Sequence, residues 1–151
     1  MSYDLMVFNP KIAPKSEPEF LEWYSQQTEW EENHSYDNPK VTSIELRNWF
    51  MEMIKEFPAL NGPFQPTDID DRIDNDDDTL TDHCIGKDVI YCGFRWSAAE
   101  KAYWKMLDLA QKHKVGFYNP SGDGIIMFPN ETGELESINK KWESKPWWKF
   151  W

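Results

Sequence analysis

Residues 88–96, DVIYCGFRW, run into SAAEKAYWKMLDLAQKH over 97–113 and then VGFY over 115–118, and this stretch decides how the chain folds. The first run is almost continuously apolar, the pattern of a strand covered on both faces. In the second, Ala99, Ala102, Tyr103, Met106, Leu109 and Ala110 recur at helical spacing, and Ser97 with Glu100 has the form of a capping box. VGFY reads as a further short strand. Such a strand–helix–strand unit predicts a right-handed parallel crossover with the helix lying on the sheet. The turn chemistry of Asn119-Pro120-Ser121-Gly122-Asp123-Gly124 then predicts that the apolar run at 125–128 returns beside it as an antiparallel hairpin.

Upstream, Leu46, Trp49, Phe50, Met53, Ile54 and Phe57 fall at i, i+3, i+4, i+7, i+8 and i+11, the clearest helical pattern in the chain. Thr42 and Glu45 form a capping box ahead of it, and Pro58 stops it. Ser16-Glu17-Pro18-Glu19 starts an earlier helix to about Trp30, with Phe20, Trp23, Tyr24 and Gln27 along one side. Residues 3–8 read as a strand inside the sheet, and 31–40 as a loop. The expected fold is α/β (α+β): a small mixed sheet of about four strands with about three helices, in the order β-α-α-β-α-β-β. One domain is expected over residues 1–130, with an acidic loop at 67–83. A Trp-rich tail follows over 131–151.

At 151 residues the chain can bury about two thirds of its unfolded surface, so it needs no metal or disulfide to stay folded. Cys84 and Cys92 show no zinc or CxxC spacing, and both are expected near or within one strand, where a mutual bond is unfavourable. The opening MSYDLMVFNP has no basic leader, and no run approaches the roughly 20 apolar residues of a spanning helix. The cytoplasm is the expected location. The net charge of −11 is uneven: residues 68–82 hold eight Asp and one Arg, a net −7. A segment so acidic repels phosphate backbones and attracts a basic protein. Nine Trp, nine Phe and six Tyr supply many rings suited to binding surfaces.

Tests for catalytic or metal chemistry give little. Asp74, Asp76 and Asp78 match the first ligand spacings of an EF-hand, but Thr79 stands where Gly is needed and Ile85 where Glu is needed. His34, His83 and His113 form no HxxxH or HxE pattern and are expected on the surface or in loops. His83 and Cys84, as neighbours along an extended chain, point to opposite sides. Gly122-Asp123-Gly124 precedes a strand, with no Lys-Ser/Thr after it, so it is a turn and not a phosphate loop. No catalytic residue, metal or cofactor is expected.

The segments MSYDLMVF, VTSIELRNWFMEM followed by FPALNGPF, the acidic loop, IGKDVIYCGFRWSAAEKAYWKM and VGFYNPSGDGIIMFP resemble a family of small bacterial proteins. Its members are similar to immunity proteins of polymorphic toxin systems: contact-dependent inhibition, type VI and Rhs. The resemblance runs from Met1 to about Pro129. It implies a protein that neutralises a cognate toxin by non-covalent occlusion, and it assigns no functional residue. On that expectation the partner is a protein toxin of basic character, with no direct nucleic acid and no membrane. The partner-binding residues would be Asp68, Asp70, Asp71, Asp74, Asp76, Asp77, Asp78 and Asp82, with Trp147, Trp148 and Trp151 of the tail. The tail aromatics have other readings too, packing on the domain or resting on a membrane surface, but Lys145 and Lys149 are thin charge for anionic lipid. An exposed edge strand or the tail could also join two copies as a homodimer. Two other functions compete. One is a small-ligand protein or enzyme with a pocket using Trp49, Tyr91 or Trp96; the other is an adaptor with a different partner.

Overall fold

The computed structural model describes residues 2–140. Strand β1 (Tyr3–Phe8) lies in the middle of the sheet, because both its faces must be covered: Tyr3, Leu5 and Val7 are buried on one side, Met6 and Phe8 on the other. Helices α1 (Glu17–Gln27), α2 (Ile44–Met53) and α3 (Ile69–Asp74) follow, then strands β2 (Asp82–Ile85) and β3 (Val89–Phe94). Helix α4 (Ala99–His113) and strands β4 (Gly116–Tyr118), β5 (Ile126–Pro129) and β6 (Leu135–Ser137) complete the described chain.

The strand order is β2-β3-β1-β4-β5-β6, and every neighbouring pair is antiparallel. The fold is α+β, but the sheet is neither mixed nor four-stranded: among the described residues six strands and four α-helices replace the expected four and three. The β3–α4–β4 unit explains the difference in direction. Strands β3 and β4 both run antiparallel to β1, hence parallel to each other, and β1 occupies the place between them. The crossover helix therefore steps over a strand, and β3 and β4 do not pair with each other. The β4–β5 hairpin is present as expected. Strand β6 comes from the stretch read as tail, and α3 and the start of β2 from the stretch read as acidic loop.

The sheet separates two cores. On one face α2 and α4 pack over Leu5, Val7, Ile90, Cys92, Phe94 and Phe117. Leu46, Trp49, Phe50, Met53 and Phe57 are all buried there, and the Trp49 indole N–H donates to the Met106 carbonyl at 3.4 Å. On the other face Phe20 of α1 meets Phe8, Tyr118 and Phe128 edge to face, with ring centroids 5.0–6.3 Å apart. The caps differ from the sequence reading in detail. Ser43, not Thr42, caps α2, accepting from the Leu46 N–H at 3.3 Å, while the Thr42 hydroxyl donates to the Lys87 carbonyl at 3.0 Å. Ser16 precedes α1 without a side-chain cap, and α4 starts one residue after Ala98 from a 3-10 turn, so the Ser97 box does not form.

Candidate functional site

The strand registers bring distant segments to one end of the sheet. Tyr3 faces Phe94, Asp82 faces Gly93, Tyr118 faces Ile126 and Met127 faces Ser137. So β2 begins where β3, β4 and β6 end. The acidic segment enters β2 at this end, and α4 starts there, because β3 has just left the sheet.

The acidic segment is built around arginine. Arg72 donates to Asp68 at 2.8 Å, one helical turn back, and to Asp77 at 2.9 Å. Asp77 also accepts from the backbone N–H and hydroxyl of Thr79, at 2.9 and 2.7 Å. These Thr79 bonds, with Arg72, hold the Asp77 carboxyl below its ordinary range. Arg95, at the end of β3, pairs with Asp76, which sits at a left-handed φ of 54°. A stretch expected as a bare loop of like charges is thus a short helix and a turn, held together by Arg72 and tied to the end of β3 by Arg95. Among the described residues, Asp70, Asp71, Asp74, Asp78 and Asp82 form no ion pair, and all but half-buried Asp78 are exposed.

Asp78 also lines an open groove of about 740 Å³ along the N-terminal half of α4, together with Glu56, Glu100, Lys101, Trp104 and Asp108. Ser97 and Ala98 complete the wall at the helix start. Trp96, 43% exposed, adjoins the Arg95–Asp76 pair, and Ile73, 52% exposed, stands on α3. The expected acidic residues are therefore only partly gathered: Asp78 reaches the groove, Asp76 and Asp77 are taken up by Arg95 and Arg72, and Asp68, Asp70, Asp71 and Asp74 lie on or beside α3. Asp82 lies apart, on the sheet face beside Gly93. Trp147, Trp148 and Trp151 lie outside the described residues. Glu56, in the turn after α2, and Glu100, Trp104 and Asp108 of α4 were missed, because nothing local in sequence marks a residue as a groove wall.

The other candidates do not converge. Trp49 is sealed under α2, Trp96 is half exposed, and Tyr91 lies on the opposite face, donating to Asp4 at 2.6 Å. Burial pushes the Tyr91 phenol up, as does the Asp4 bond. His83 corrects a sequence expectation, for it is buried and not a surface residue. Its Nε2–H donates to the Phe57 carbonyl at 2.9 Å, which leaves Nδ1 to accept from the Cys92 thiol at 3.3 Å. Burial pushes the imidazole down to about 4 and the Cys92 thiol up, so neutral forms of both are favoured. The contact ties β2 to β3 and to the turn after α2. Cys84 and Cys92 lie on neighbouring strands, not on one, and on opposite faces; both are free thiols.

Among the described residues no group of three or more His, Cys, Asp or Glu is placed to hold a metal ion. No helix among them is long and apolar enough to cross a membrane. Comparison with protein-family models, with curated proteins and with solved structures found no match.

Proposed function

We propose that this chain is a cytoplasmic immunity protein that neutralises a cognate bacterial toxin domain by covering it, with the acidic segment and the α4 groove as the contact surface. The observation that carries this reading is the bracing of the acidic segment by Arg72 and Arg95, which fixes the backbone that carries the unpaired carboxylates Asp70, Asp71, Asp74 and Asp78, with half-exposed Trp96 next to Arg95 in the chain. A fixed charge pattern with exposed rings near it suits a protein interface, where rings supply affinity and carboxylates attract a basic partner. Preset charges also cost less ordering on binding than a free loop would.

Co-expression in bacteria with candidate toxin domains of polymorphic toxin systems, the proposed partner class, tests the proposal. Growth should be restored by the wild-type chain and lost again with Asp78→Lys and Glu100→Lys together. Failure of the wild-type chain to restore growth would remove the immunity reading. Rescue that survives the double reversal would move the contact surface away from the groove.

A further inference from the structure

We propose that the Asn61–Gly62 bond, in the connection between α2 and α3, is a self-modification site, at which the Asn61 side-chain amide is lost as ammonia and an aspartyl or isoaspartyl carboxylate takes its place. The reaction is intramolecular and consumes only water. The Gly62 backbone nitrogen gives up its proton and attacks Cγ of Asn61. The Cγ–Nδ2 bond breaks, ammonia leaves with a proton, and a cyclic succinimide remains. Water then adds to either ring carbonyl and opens the ring, leaving a carboxylate and a peptide bond through the α or the β carbon. Nothing is oxidised or reduced.

The attack needs a side-chain amide free to turn onto the backbone, a following N–H free to lose its proton, and little bulk beside that nitrogen, which glycine supplies. The fold withholds these from the other asparagines. Asn9, Asn38 and Asn119 precede proline, which has no N–H. Asn48 lies inside α2, within its backbone ladder. The N–H after Asn33 donates to the Glu32 carbonyl at 3.1 Å, and the one after Asn75 to the Ile73 carbonyl at 3.0 Å. The one after Asn139 donates to the Ser137 hydroxyl at 2.9 Å. Asn130 is clamped through its side chain, accepting from the Thr132 and Glu134 N–H groups at 2.9 and 3.0 Å and donating to Glu136 at 3.0 Å. Asn61 is exposed, and among the described residues neither its side chain nor the Gly62 N–H makes a hydrogen bond.

Asp123–Gly124 is an internal comparison, since an aspartate before glycine can close the same ring. There the Gly124 N–H donates to the Asn119 carbonyl at 3.0 Å, and Asp123 accepts from the Ile125 N–H at 3.0 Å. The fold holds that bond closed and leaves Asn61–Gly62 open. It also requires glycine at 62. The residue sits at a φ of 86°, and a Cβ there would lie 3.1 Å from the Cβ of Asp37, so the bulk that would slow the attack is excluded. The carboxylate formed at position 61 adds to a chain already at −11, in the connection that leads into Asp68.

Incubation of the folded 151-residue chain at mildly alkaline pH, followed by peptide mapping that resolves aspartyl from isoaspartyl forms, tests this. The Asn61 peptide should convert first, to a pair of acidic products, while the Asp123 peptide stays unchanged. An acidic band should accumulate on isoelectric focusing, and Asn61→Gln, whose longer side chain closes the ring poorly, should lose that band. In guanidinium, where the Gly124 N–H is released, the Asp123 peptide should gain its isoaspartyl form. An Asn61 peptide that stays intact while another asparagine converts overturns the proposal. So does an acidic band of equal size in Asn61→Gln.

Discussion

Single residues carry much of the stability here, and several respond to defined changes. Trp49 is wholly buried between α2 and α4, and Trp49→Ala should cost about 3–5 kcal/mol in denaturant unfolding, as truncation of a large core ring does. Gly116 lies where the Phe8 ring occupies the position of a Cβ, so Gly116→Ala must displace that ring and should destabilise by about 1–3 kcal/mol. His83 gives a pH signature. Its folded value of about 4 lies below the ordinary 6.5, so between these values the unfolded chain binds the proton and the folded chain does not. Stability should therefore fall as pH drops from about 6.5 to about 4, by about 3 kcal/mol from this group, and then level off for this group. His83→Gln, which cannot titrate, should lose that part of the slope in unfolding curves taken across the window; an unchanged slope would assign it to the carboxylates alone. Trp49 was legible in sequence because its neighbours repeat at helical spacing. His83 was not, because its burial depends on a four-residue strand, DHCI, that is too short to show an alternation.

Among the elements, the acidic segment departs furthest from expectation. Its eight Asp were legible as a charge excess, but its order rests on Arg72, inside the segment, and Arg95, nineteen residues beyond Asp76. A pairing across that distance has no local sequence signal. Arg95→Ala should free Asp76 and raise amide exchange over residues 75–79, while the α1 core exchanges as before. Equal exchange in both proteins would mean that the Arg72 contacts alone set the turn. The long apolar elements were legible, since β1, β3, α2 and α4 each announce the faces they bury. Sheet direction was not: strand–helix–strand order alone cannot show that β1, eighty residues earlier, takes the place between β3 and β4. The paired edge strand β6, LES, is too short and polar to stand out from the chain around it.

At the scale of the molecule, charge and apolar surface are divided between regions. The two cores lie on opposite faces of one sheet, and the largest charge excess sits at one end of it, beside the start of α4. Such a layout steers a basic partner toward one region: long-range attraction mainly raises the encounter rate, while exposed pairs add little to final affinity. Asp76 and Asp77 hold the arginines, so a test of steering must leave them in place and neutralise Asp70, Asp71, Asp74 and Asp78, which form no ion pair among the described residues. The most direct measurement is stopped-flow association of the chain with the toxin domain proposed above as its partner, as a function of ionic strength. The fourfold Asp→Asn variant should associate roughly tenfold more slowly at low salt, with a flatter salt dependence and an unchanged fold. The same rate and the same salt slope in both proteins would contradict a partner-binding role for the acidic segment.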